Sequence, residues 1–172
     1  MKAFALLGAL PLLLAACATG PGKPGPSAAV ELQPTRGYSA AGTVSFTQVG
    51  NKVQVVANVS GLTPGLHGFH IHEKGDCSSP DAMSAGGHFN PGSTPHGHPH
   101  QGPHHGGDMP MLDADASGKA SLTTELEGIT VAEGPASIVG RSVIVHVAPD
   151  DFKTQPTGNS GARMACGVIA RK

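Results

Sequence analysis

Polar and apolar residues alternate with a period of two along much of this chain. Val44 and Phe46 alternate with Thr43, Ser45 and Thr47, and Val53, Val55, Ala57 and Val59 alternate with polar neighbours except at Val56. Gly50-Asn51 between these runs is a hairpin signal. Ala120, Leu122, Thr124 and Leu126 alternate with Ser121, Thr123 and Glu125, entered through a turn at 115–118. Further strands are predicted over 142–147, with Val143, Val145 and Val147 on one face, and over 164–170. Many short strands with Gly-rich turns predict an all-β antiparallel sandwich or barrel. Residues 75–107 and 148–161 fit no strand, and loops of that length in a compact domain usually carry function.

The start of the chain has a different pattern. Met1-Lys2 is followed by an apolar run over 3–16, interrupted by Gly8 and Pro11 and ending Leu14-Ala15-Ala16-Cys17. It is too short to span a membrane and reads as a signal peptide, 1–16, that is removed. Small residues before a cysteine resemble a bacterial lipoprotein cleavage box, in which Cys17 becomes the lipid-bearing N-terminus. The other reading is an ordinary secretory signal cut near Ala16. Residues 17–27, rich in Gly and Pro, read as a tether. Residues 28–172, about 145 of them, are enough for one domain with a sizeable core. With no Trp and few aromatics, that core must be aliphatic.

Net charge is −1 with histidine neutral, and one unit more negative once Lys2 leaves with the signal. Such a chain has no electrostatic claim on nucleic acid. If Cys17 is lipidated, Cys77 and Cys166 remain, and oxidising conditions outside the cytoplasm would join them. Closing so long a loop stabilises by roughly 4–5 kcal/mol in the chain-entropy account. The alternative is that one of them ligates metal.

All ten histidines lie between His67 and His146. Neutral imidazole is the commonest protein ligand for zinc and copper, so this density points to metal. Strand alternation sorts some of them. In Phe69-His70-Ile71-His72 the apolar pair suits the core, which leaves His70 and His72 on the opposite face, under the first long loop. His146, between Val145 and Val147, also faces away from the core. Three imidazoles on rigid strands can converge there, two of them side by side, as a tetragonal copper site needs. The bland reading of His-X-His is two exposed strand residues.

Longer motifs then identify a family. Gly68-Phe69-His70-Ile71-His72-Glu73-Lys74-Gly75-Asp76-Cys77 resembles the first signature of the copper/zinc superoxide dismutases. Gly158-Asn159-Ser160-Gly161-Ala162-Arg163-Met164-Ala165-Cys166-Gly167-Val168-Ile169 resembles the second. Gly87-His88-Phe89-Asn90-Pro91 and His105-Gly106-Gly107-Asp108 stand between them in the family's order, and the resemblance spans 28–172. It implies an eight-stranded Greek-key antiparallel β-barrel with two long functional loops. It also implies an enzyme that disproportionates superoxide, its small-molecule partner, to dioxygen and hydrogen peroxide.

Residue by residue, the resemblance implies copper ligands at His70, His72, His88 and His146, and zinc ligands at His88, His96, His105 and Asp108. His88 would bridge both ions. Zinc held by three nitrogens and one carboxylate is a closed, structural site. Asp150 matches a carboxylate that hydrogen-bonds ligands of both metals and so orients the rings. Arg163 matches the cation that attracts the anion, and with His88 it is the implied catalytic residue. Cys77 and Cys166 match the family disulfide, and His67 matches a supporting histidine that is not a ligand. Members pair through different surfaces or stay single, so the resemblance leaves a homodimer open.

Three features depart from the pattern. The 78–87 loop is longer than in the cytosolic eukaryotic form and similar to bacterial ones. The 150–157 loop is short, with Lys153 as its one evident steering charge. His98, His100 and His104 are surplus to both ligand sets, and are either a Gly/Pro/His-rich exposed loop or an antenna that captures metal. The rival function is a lipid-anchored periplasmic protein that buffers copper or zinc without catalysis. The complete ligand set together with Arg163 favours the enzyme. The expected location is exported, periplasmic or cell-envelope, anchored by the Cys17 lipid to a bacterial membrane.

Overall fold

Alternating runs become strands wherever they can pair. The computed structural model describes residues 25–172, so the signal peptide, Cys17 and most of the tether lie outside the described residues. The strands are β1 (Ser27–Pro34), β2 (Ala41–Val49), β3 (Lys52–Ser60), β4 (Gly65–His67), β5 (Phe69–His72), β6 (Leu112–Ala114), β7 (Ala120–Leu126), β8 (Ser142–His146), β9 (Arg163–Val168) and β10 (Ala170–Arg171). One 3-10 turn spans Met83–Ala85. No helix of the described residues is long and apolar enough to cross a membrane.

Eight strands form one sheet in the order β5-β8-β9-β1-β2-β3-β7, with β10 also paired to β1; β4 and β6 form a separate pair. Within the large sheet every named pair is antiparallel. The all-β antiparallel expectation is borne out. β2 and β3 run in register through the Gly50-Asn51 turn, where Gly50 takes a φ of 60°. β1 begins at Ser27, one residue inside the segment read as tether, and it was not visible as a strand beforehand. Only Val30 and Leu32 carry large apolar side chains in it, and Pro34 ends it.

The core is aliphatic, as the composition requires. It collects Val30, Leu32, Val44, Phe46, Val53, Val55, Val59, Phe69, Ile71, Val143 and Val145 among others. On β5 the apolar pair Phe69 and Ile71 joins this core, while His70 and His72 are equally buried on the other face. What buries them is the first long loop, which closes on the free edge of β5. Ile71 N–H donates to the Gly107 carbonyl at 2.8 Å, and Phe89 N–H donates to the Ile71 carbonyl at 2.8 Å. Glu73 N–H reaches the Gly87 carbonyl at 2.8 Å. A β-carbon at Gly107 would collide with the Ile71 carbonyl oxygen, so only glycine permits this approach.

A second, smaller apolar cluster anchors the rest of that loop. It is built from Ala82, Ala85, Ile144 and Cys166, with Cys77 packed against it. Cys77 and Cys166 are disulfide-bonded, 89 residues apart in sequence, which ties the loop to β9. The metal-ligand alternative for these cysteines therefore falls away.

Ile71 carries both jobs of β5, with its side chain in the core and its backbone bonded to the loop. Ile71→Ala is expected to destabilise the protein by about 2–5 kcal/mol through the cavity it leaves. Urea denaturation of the metal-free protein measures this, and a loss well under 1 kcal/mol would mean the strand is not packed as described.

Candidate metal centre

Three strand histidines meet one loop histidine. His70 and His72 on β5, His146 at the end of β8 and His88 of the first loop each offer one nitrogen, and these four atoms lie within 4.8 Å of one another. A second group meets the same limit: His88, His96, His105 and Asp108. His88 belongs to both. All seven residues are buried. The structure thus brings together every residue expected to hold copper or zinc. His98, His100 and His104 are in neither group.

Hydrogen bonds decide which nitrogen of each ring faces inward. A neutral imidazole donates from one nitrogen and presents a lone pair at the other. His70 Nε2–H donates to Asp150 Oδ2 at 2.6 Å. His72 Nδ1–H donates to the Gly86 carbonyl at 2.9 Å, and His146 Nδ1–H donates to the Gly161 carbonyl at 3.1 Å. The remaining nitrogens, His70 Nδ1, His72 Nε2 and His146 Nε2, are buried with no partner. His88 Nε2 and His105 Nδ1 are buried and unpartnered as well. Six such atoms occur among the described residues, and five are these imidazole nitrogens.

An unsatisfied buried polar group costs about 1–3 kcal/mol, and native proteins hold few of them. Five bare nitrogens collected in one place are a donor set for a metal ion. The residues therefore fit a pair of metals sharing His88. Three or four imidazoles suit copper, and three nitrogens with a carboxylate suit zinc.

The second group is organised around Asp108. Its Oδ2 accepts the backbone N–H groups of His105 at 2.8 Å and Gly97 at 3.1 Å. This leaves Oδ1 to face the rings: His88 Nδ1 at 2.8 Å, His96 Nδ1 at 3.0 Å and His105 Nδ1 at 3.5 Å. Burial works to raise the Asp108 pKa, but the surrounding His105, His88 and His96 rings hold it far below the ordinary carboxylate value.

Burial drives the other site toward neutral rings. It lowers His88 to about 4 against the pull of Asp108, and it lowers His72 and His146 well below the ordinary histidine value. His96 goes the other way. Burial opposes its charge, but hydrogen bonds to Asp108 and Asp150 prevail and raise it to about 9. A metal ion taking His96 Nδ1 would displace a proton, and such coupling makes affinity depend on pH.

Asp150 hydrogen-bonds one ring of each group. Besides His70 it accepts His96 Nε2–H at 3.0 Å through Oδ1. Phe152 N–H donates to the same Oδ1 at 2.7 Å. Gly158, with φ at 68°, passes so close that any β-carbon would strike the Asp150 carboxylate and the His96 ring.

Arg163 lies at the start of β9, held by two carbonyls: Nη1 donates to Ala82 and Nη2 to Gly86, each at 2.7 Å. The Gly86 carbonyl thus fixes both His72 and Arg163. Sequence reasoning missed Gly86 because a carbonyl acceptor has no side-chain signature. It also missed Gln155, whose side chain accepts from His96 N–H and donates to the His96 carbonyl, both at 2.9 Å.

An open cavity of about 620 Å³ leads to His72, His146 and Arg163. Arg36, Tyr38 and Asp81 are on its wall, and Lys153 is not. The cation expected on the short loop does not line this cavity, and Arg36, from the turn after β1, does. That turn carried no motif by which to find it.

The comparisons with known proteins agree with the geometry. Residues 40–169 match the family described as copper/zinc superoxide dismutase (SODC). The chain is 40% identical over 175 residues to a Cu-Zn superoxide dismutase of Deinococcus radiodurans, covering 94% of this chain and 92% of that protein. It is 41% identical over 134 residues to an extracellular Cu-Zn superoxide dismutase of Caenorhabditis elegans, covering 74% of this chain and 60% of the nematode protein.

Asp150→Asn keeps the size of the side chain but removes its charge from between the two groups. Loss of a partner that orients ligands typically costs 10–100-fold in metal affinity. Competition with a chelator is expected to show that loss for both ions, with two ions still bound at saturation. Unchanged affinity at both groups would remove the orienting role.

Proposed function

The chain belongs to the copper/zinc superoxide dismutase family, and we propose that His70, His72, His88 and His146 hold its copper while His88, His96, His105 and Asp108 hold its zinc. The enzyme disproportionates superoxide: two anions and two protons become one dioxygen and one hydrogen peroxide. The observation that carries the assignment is the set of five buried imidazole nitrogens without partners, beside a fixed arginine.

Copper, when bound, supplies a one-electron couple that accepts an electron from one superoxide and returns it to the next. The chain's own part is to bind, orient and exclude. The strand histidines His70, His72 and His146 hold three imidazoles rigidly, since each ring is locked by its second nitrogen. His88 offers both nitrogens inward, and its Nε2, bare and buried, is the atom suited to take up and release a proton. The other nitrogen of that ring, Nδ1, faces Asp108 at 2.8 Å, and zinc held there with His96 and His105 would pin the ring and the long loop.

Arg163 provides a permanent positive charge on the cavity wall that His72 and His146 also line. Burial lowers its pKa from the ordinary arginine value, and nearby Asp81 opposes that; the guanidinium remains charged at neutral pH. Arg36 adds a second cation to the wall of the same cavity. The two arginines outweigh Asp81 on the wall, and a cleft of net positive charge concentrates anions and raises their association rate by about 10–10³-fold, in a salt-dependent way. A metal buffer has no use for such a channel.

We also infer that the protein is exported, cleaved after Ala16 and anchored to a bacterial membrane by lipid on Cys17, with 17–27 as tether and 28–172 as the catalytic domain. The disulfide supports an oxidising location, and one of the relatives is named as extracellular. Cys17→Ser is expected to move the protein from the detergent phase to the aqueous phase on phase partition. Identical partition of both proteins would exclude the anchor.

Superoxide dismutation by the copper- and zinc-loaded protein tests the assignment. His146→Ala is expected to fall to the activity of free copper, and Arg163→Ala to lose about tenfold or more in kcat/KM. Wild-type activity should fall with added salt, and Arg36→Ser should flatten that dependence more than Lys153→Ser does. Equal slopes for all three proteins would leave Arg36 without a steering role.

A further inference from the structure

The loop that carries His96 and His105 contains three histidines that neither inner group uses, and the structure separates them. His98 Nδ1 accepts the His100 backbone N–H at 3.2 Å, so its lone pair is committed within its own loop. Its ring packs 4.6 Å from that of Phe152. His100 and His104 turn the other way, onto a separate surface cavity of about 580 Å³. The facing wall is Thr124, Glu125 and Glu127 at the end of β7, with Lys52 of β3 beside them.

The ring chemistry there repeats the rule of the inner site. His104 Nδ1–H donates to the Gly102 carbonyl at 2.9 Å, which sets the same tautomer as at His72 and His146 and leaves Nε2 with its lone pair, here on an exposed loop. The partner of His100 is a hydroxyl, with Nε2 3.2 Å from Thr124 Oγ1. When Nε2–H donates to that hydroxyl, Nδ1 of His100 keeps its lone pair. Glu127 pairs with Lys52 at 3.0 Å and Glu125 stands 3.9 Å from the same ammonium. Two carboxylates thus face one cation, and the cavity keeps net negative charge. Apart from Lys52, the charge of Glu127 is also favoured by His100 and His104.

We propose that His100, His104 and Glu127 form a third, exchangeable site for a divalent transition metal on the outer side of the zinc-binding loop. Two imidazoles and a carboxylate are a borderline-soft donor set, of the kind that takes zinc or copper(II) over magnesium or calcium. The ligands are on an exposed loop and just past a strand end, and they share one cavity without their donor atoms yet gathering as closely as those of the inner groups, so the metal draws them together and displaces Lys52 from Glu127. Binding there is weaker than at the buried groups, whose rings are already oriented. The site does not depend on which inner group takes which ion.

The test uses the full chain with both inner groups filled and excess metal removed. Titration with zinc by calorimetry is expected to show one further equivalent, and titration with copper(II) a new, distinct electron paramagnetic resonance signal. In the double variant His100→Asn/His104→Asn the extra equivalent should vanish while two ions per chain are retained, which also shows that the variant is folded. Glu127→Gln should shift the titration to weaker binding, and His98→Asn should leave it unchanged. No third equivalent in the wild type, its survival in the double variant, or its loss in His98→Asn would overturn the proposal.

Discussion

An imidazole has two nitrogens, and the site depends on committing one of them. When His70, His72 and His146 each donate to a fixed oxygen, the tautomer is set and the other nitrogen can only accept. Burial then removes water as an alternative partner. Each bare nitrogen costs about 1–3 kcal/mol, and several of them weigh against a total stability of about 5–15 kcal/mol. The fold tolerates this concentration of cost at one place because an ion that binds there relieves it. The same commitment makes the rings rigid, which favours a fixed coordination geometry.

The remaining architecture supplies the fixed oxygens. Two of the three come from backbone carbonyls of glycine, Gly86 and Gly161, and both glycines have φ near 75°. The loop can present those carbonyls only if it is held, and three devices hold it. Backbone hydrogen bonds seal it to the free edge of β5, which also protects that edge from pairing elsewhere. The disulfide and the small apolar cluster around Ile144 tie it to β9. Arg163 then binds it from β9 through the Ala82 and Gly86 carbonyls. The arginine that faces the substrate cavity is thus also a strut of the loop that orients His72. A change at the disulfide would reach ligand and arginine together.

How far the sequence revealed this follows from what leaves a mark on side chains. β2, β3, β7 and β8 were legible because each sets several large apolar residues at alternate positions. β1 was not, since its few apolar residues follow a Gly/Pro-rich run, and the three-residue strands β4 and β6 are too short to show any period. Alternation correctly set His70, His72 and His146 on the face opposite the core. It could not choose His96 and His105 from their crowded loop; only the match to a family's motifs did that. Gly86, Gly161 and Gln155 act through peptide groups or on them, and Arg36 comes close only because the turn after β1 folds over the cavity. Those contributions exist only in three dimensions.

Histidine density, the first sign of metal, is therefore a poor guide to which histidines bind it. His67 shows why. It is among the most deeply buried of the ten, at 1% exposure, and it sits next to the signature motif. Yet its Nδ1 faces the His146 carbonyl at 2.7 Å and its Nε2 faces the Thr63 carbonyl at 2.8 Å. With an acceptor at each nitrogen there is no inward lone pair, so burial alone does not make a ligand. The ring instead ties β4 to the backbone of His146 and helps to hold that residue in place. In His70, His72 and His146 one nitrogen is committed outward and the other is left bare, whereas His67 has a backbone carbonyl at each nitrogen. That distinction, drawn from hydrogen bonds, separates the three strand rings from His67; His96 differs from both, since its two nitrogens face the carboxylates Asp108 and Asp150.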